Sequence, residues 1–120
     1  MDHLIHLGLS DGTIKSIKMF RNEVEVVIER WNAKGLKLIF ENCWRLKDRQ
    51  SIDQLIGDIE ILKKSALFDE LIADILDGGG TKEELKEAVE FTFYEPADHR
   101  IILEIIANFV RAEEVELTGE

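Results

Sequence analysis

Three histidines, one cysteine and 25 carboxylates are the side chains in this sequence able to bind a metal, attack as a nucleophile or move a proton. The histidines are His3, His6 and His99. His3 and His6 stand three apart, which puts them on one side of a helix but on opposite sides of a strand. A zinc site needs further ligands, and the sequence holds neither a cysteine pair nor an HExxH helix. Structural or terminal roles follow for these histidines, and no metal or cofactor is expected. Cys43 is the one thiol. Its expected place is the outer side of a strand opposite Glu25, and a nearby carboxylate disfavours the thiolate. Ser16 falls in a strand pattern, Ser65 at a helix start, and no G-x-S-x-G elbow occurs. Gly78-Gly79-Gly80 is followed by Thr81-Lys82. A phosphate loop needs a following Lys-Ser/Thr or a strand–turn–helix setting, so the triplet reads as a helix end. No catalytic motif emerges, and the chain is expected not to be an enzyme.

The carboxylates offer one pattern. Glu23, Glu25 and Glu29 alternate along one strand and share its outer face with Val27 and Trp31. General acid–base work needs a carboxyl buried enough to raise its pKa. A row of acids on an open face is ordinarily solvated. The sharper reading is a docking surface, with Glu23, Glu25 and Glu29 steering and Val27, Trp31, Phe20 and Ile39 as apolar anchors. A helix over Ala66–Asp77 competes for part of that face. Asp58, Tyr94 and His99 are conceivable lining residues of a small-ligand pocket, but nothing in the sequence brings them together.

The elements that would hold these residues follow from periodicity. Asp11-Gly12 opens a strand over Thr13–Phe20, and a tight turn at Arg21-Asn22 sets Met19 opposite Val24 and Ile17 opposite Val26. Lys18 then meets Glu25 on the outer face. Asn32-Ala33-Lys34-Gly35 fits a type I turn with a left-handed glycine. That turn sets Ile28 opposite Phe40 and Val24 opposite Trp44. The meander has an inner face of Ile17, Met19, Val24, Val26, Ile28, Leu38 and Phe40. His3–Leu7 is a candidate further strand. Trp44–Gln50 reads as a polar loop and Leu55–Leu62 as a strand. Ser65 caps a helix whose apolar stripe is Leu67, Phe68, Leu71, Ile72, Ile75 and Leu76. Thr81–Glu84 is a capping box for a short helical segment to about Glu87. Val89, Phe91 and Phe93 alternate with polar residues. Ile101–Val110 is apolar on both sides, with Ile102 and Ile106 flanking Glu104, as in a central strand. The fold expected is α+β: a mainly antiparallel sheet with an N-terminal meander and a C-terminal hairpin, one clear helix and one short one. Residues 1–120 form one domain, with a frayed acidic tail from about Ala112.

The totals narrow the function. Fifteen basic against 25 acidic residues give a net charge of −10. That balance opposes nucleic acid and anionic membrane surfaces, which need cations. No window reaches the roughly 18 apolar residues of a membrane span. A single cysteine excludes an internal disulfide and fits a cytoplasmic protein. The N-terminus lacks the basic and apolar regions of a secretory signal.

In this order of elements, four phrases stand out: DGTIKSI from Asp11, FENCWR from Phe40, LIGDIEIL from Leu55 and EFTFYEPADHRIILEIIANFV from Glu90. Across Asp11–Val110 the chain resembles small uncharacterised bacterial proteins akin to the immunity-protein families of polymorphic toxin systems. The resemblance implies a cytoplasmic domain that neutralises a cognate toxin by binding, and it supplies no functional residues. The expected partner is a basic protein. A small-ligand module or unrecognised enzyme is the alternative, and a homo-oligomeric structural protein is the third.

Overall fold

The computed structural model describes residues 11–30 and 34–117. Strands β1 (Thr13–Phe20), β2 (Glu23–Glu29), β3 (Gly35–Asp48), β4 (Asp58–Leu62), β5 (Val89–Tyr94) and β6 (Ile101–Val115) form one antiparallel sheet in the order β1-β2-β3-β6-β5-β4. Helix α1 spans Ala66–Asp77, and a 3-10 turn spans Lys82–Leu85. The α+β class holds. The expected strand His3–Leu7 and residues Trp31, Asn32 and Ala33 lie outside the described residues.

The β1–β2 hairpin follows its local chemistry. Phe20 faces Glu23 across a two-residue turn, Met19 faces Val24 and Ile17 faces Val26. Arg21 takes φ 58°, which such a tight hairpin turn demands of a central residue. The inner face holds at Val24, Val26, Ile28, Leu38 and Phe40, all fully buried, but Met19 at the strand end is exposed.

The β2–β3 register departs from expectation. Val24 faces Phe40 rather than Trp44, and Ile28 faces Leu36 rather than Phe40, a shift of four residues. Arg30 N–H donates to the Lys34 carbonyl at 2.9 Å, so the loop closes earlier. Gly35 sits inside β3 opposite Glu29, where a Cβ would lie 2.7 Å from the Val115 carbonyl oxygen of β6. It serves close strand approach, not a left-handed turn. An even shift keeps every side chain on its face, so the buried set survives.

Two segments expected as loop or tail are strand. Trp44–Asp48 continues β3, with Lys47 opposite Glu104 and Arg45 opposite Ile106. Polar side chains are compatible with a ladder when they face outward, as Arg45 does toward Asp74 at 2.7 Å. Ala112–Val115 continues β6, opposite Gly35–Leu38.

The sheet curls on itself. Phe40 on β3 and Phe91 on β5 are separated by β6, and their partners Val110 and Ile105 lie five residues apart. A flat sheet would set these positions about 19 Å apart, from its strand spacing and rise per residue. Their ring centroids are 5.0 Å apart, edge to face, and Phe40 meets Phe93 at 6.4 Å. One end is closed by backbone bonds between the start of β1 and the segment before β4. Asp11 N–H donates to Ile56 O and Ile56 N–H to Gly12 O, both at 2.8 Å, and Gly57 N–H reaches Tyr94 O at 2.7 Å. The curled core therefore takes residues from β1, β2, β3, β5 and β6 together with Ile56.

Helix α1 covers the opposite face of β5 and β6. Ser65 caps it, its hydroxyl accepting from Phe68 N–H at 3.0 Å. Leu67, Phe68 and Leu71 pack with Leu85, Ala88 and Ile106, flanked by Trp44, Ile72 and Ile75.

Candidate functional site

The outer face of β2 carries Glu23, Glu25, Val27 and Glu29, each half-buried. The neighbouring strands make it a mosaic of charges rather than an acidic row. Lys37 reaches Glu25 at 3.6 Å, Lys15 reaches Glu29 at 3.8 Å and Arg111 reaches Glu41 at 3.5 Å. Surface pairs of this kind contribute little stability, but they offset much of the local field. Val27 faces Lys37, and Trp31 lies outside the described residues. Ile39, expected as an exposed anchor, is only 3 % exposed. Phe20 is 66 % exposed, with the Arg21 guanidinium 5.4 Å from its ring centroid. Phe109, opposite Glu41, is 54 % exposed on β6. Sequence reasoning passed over Phe109 because the apolar run from Ile101 looked wholly internal. The core of α1 gathers residues of β3 and β6 and none of β2.

Cys43 pairs with Ala107 of β6, not with Glu25, and packs against the curled core. The sulfhydryl contacts Arg45 O at 3.6 Å. Burial pushes the thiol up, outweighing that contact. A thiol held protonated in this way is a poor nucleophile.

A second set of polar groups lies on the α1 side of the sheet. Glu60, Thr92, Glu104 and Lys47 form one cross-strand row over β4, β5, β6 and β3. Glu90, Thr92 and Glu104 are all buried, at 1 %, 0 % and 5 % exposure. Glu90 accepts from the Ser65 hydroxyl at 2.5 Å and from the Thr92 hydroxyl. Arg49 Nε lies 3.3 Å from Glu104. Burial pushes the Glu104 carboxyl up, and the adjacent Glu90 adds to the rise, while Arg49 opposes it. Glu104 and Glu90 lie on neighbouring strands beside one guanidinium, and the like charge favours the protonated form of Glu104. Single-strand alternation marked Glu104 only as a polar break, since its partners come from other strands.

The open side of this row ends in a cleft. Asp58 faces Tyr94 in the β4–β5 register. His99, at φ 54°, stacks on Tyr94 with 4.1 Å between centroids and 3° between planes. Asp58, Tyr94 and His99 thus form one neighbourhood. A hydrogen bond to Glu60, then burial, pushes the Tyr94 phenol up to about 12. Arg49, His99, Arg100 and Ile101 line an open cleft of about 590 Å³. Among the described residues no group of three or more His, Cys, Asp or Glu could hold a metal ion. No helix among them is long and apolar enough to cross a membrane.

No protein-family model matches this chain, and neither does any curated protein or solved structure.

Proposed function

We propose that this chain is a non-enzymatic protein-binding domain that takes a basic protein on the outer face of β1, β2, β3 and β6, as an immunity protein takes its toxin. One observation carries the reading. Phe20 and Phe109 stand exposed on that face in a chain of net charge −10. Exposed aromatics anchor interfaces, while net charge of opposite sign speeds encounter. Glu25 and Glu29 already hold lysines, so Glu23 and the charge of the whole chain do the steering. A reducing cytoplasm, which keeps a lone thiol such as Cys43 reduced, is the compartment proposed.

The test begins with proteins retained at low salt from cells that make this chain. The recovered partner is then expressed and titrated by calorimetry. A Phe20→Ser/Phe109→Ser double variant should bind about 30-fold more weakly or worse, as loss of an aromatic anchor does. Glu23→Lys should slow association and flatten its salt dependence. Unchanged affinity in the double variant would remove this face from the proposal.

The cleft favours a second reading, a small-ligand module. Arg49, His99 and Arg100 collect nitrogen donors in an otherwise acidic chain, which suits a small anion. Inorganic phosphate titrated against the His99 ring resonances should give a saturable shift that Arg100→Gln abolishes. A ring signal indifferent to phosphate would leave the docking reading alone.

A further inference from the structure

We propose that the buried neighbours Glu90 and Glu104 form a latch that docks α1 on the sheet and loosens when Glu104 loses its proton. The mechanical link is Ser65. Its hydroxyl donates to Glu90 while accepting from Phe68 N–H, so the helix cap is tied to the buried carboxyl. Both oxygens of Glu90 are engaged, one by Ser65 and one by Thr92.

The charges around the pair decide its response. Among the described residues Arg49 is the cation bonded to it, at Glu104. Lys47 faces Glu104 from β3, and Arg45 beside it is held by Asp74 of α1. Lys63, after β4, donates to the Lys86 and Ala88 carbonyls at 3.0 and 2.9 Å. Glu60 of β4 lies in the same cross-strand row, and Tyr94 of β5 hydrogen-bonds to it, its phenol, pushed up to about 12, staying uncharged. Loss of the Glu104 proton sets a buried carboxylate beside Glu90, whose oxygen is tied to the helix cap.

The direction follows from linkage. The folded Glu104 carboxyl binds its proton more tightly than in the unfolded chain, whose glutamates titrate near about 4.3. Its stabilising contribution is complete below that value and declines as pH rises through the raised folded value. The helix is therefore held most firmly in mild acid.

Trp44, under α1 with its indole N–H donating to Asn108 Oδ1 at 2.9 Å, is the reporter. A Trp31→Phe chain leaves it as the only tryptophan. Trp44 emission and α1 amide exchange are followed from about pH 5 to about pH 8, with exchange corrected for intrinsic base catalysis. The latch predicts that α1 protection falls roughly tenfold more than that of β6 across this range, with a red shift of Trp44. Glu104→Gln, which keeps the shape and cannot ionise, should hold α1 equally well at both ends. Ser65→Ala should give weak protection at every pH. Should Glu104→Gln fail to fold, Glu90→Gln makes the same comparison. PH-independent α1 protection in the parent chain, or an undiminished fall in the glutamine variant, overturns the latch.

Discussion

Replacing Phe40 by alanine lowers the unfolding free energy by about 3–5 kcal/mol, the range for removing a fully buried aromatic. Phe40 has no exposed surface and meets both Phe91 and Phe93. In a flat sheet it would touch neither ring, so its loss reports directly on the curl. The vacated space is bounded by fully buried Phe91 and by Phe93 at 1 % exposure on a strand held on both sides, by β4 and β6, which leaves little room for collapse. Urea unfolding followed by circular dichroism measures the change, and an unaltered denaturant slope would show that the folded state stays compact. A loss under about 1 kcal/mol, too small for such a cavity, would mean that these rings do not share one core. Phe20→Ala, at the exposed end of the neighbouring hairpin, is the control and should change stability by less than about 0.5 kcal/mol.

Gly57→Ala is expected to cost about 1–3 kcal/mol or more, as overpacking does where neighbours cannot yield. An added Cβ would lie 2.6 Å from Pro96 Cα and 2.8 Å from Pro96 N. Both are backbone atoms, so relief requires the 95–100 loop or the 53–57 segment to move. The first choice displaces His99 from Tyr94, and the second opens the closure between β1 and β4. Amide exchange distinguishes them. Faster exchange at Ile56 and Gly57 marks an opened closure, whereas faster exchange at Glu95, which donates to Arg100 O, marks a displaced loop. Wild-type exchange at both places would show that the two segments do not pack as described.

The sequence alone determined the faces and the helix. Alternation along β2 settles that Val24, Val26 and Ile28 go inside while Glu23, Glu25, Val27 and Glu29 go outside. Ser65 settles where α1 begins, and Arg21-Asn22 settles the first hairpin. These are local matters, set within a few residues by pleat, cap and turn. Tertiary structure alone decided the register of β2 on β3, because a four-residue slip preserves every face and alternation cannot detect it. It decided that Trp44–Asp48 is strand, since a polar run becomes a ladder only when another strand such as β6 lies beside it. It also sorted the carboxylates. Glu25 lies in a surface mosaic with Lys37, while Glu104, flanked by Ile102 and Ile106 in its own strand, is buried beside Glu90 of another. That difference arises from pairing between strands far apart in the chain and from the helix laid over them. A strand's own alternation sorts its two faces, but which polar groups on a face are covered is decided by the assembled layers.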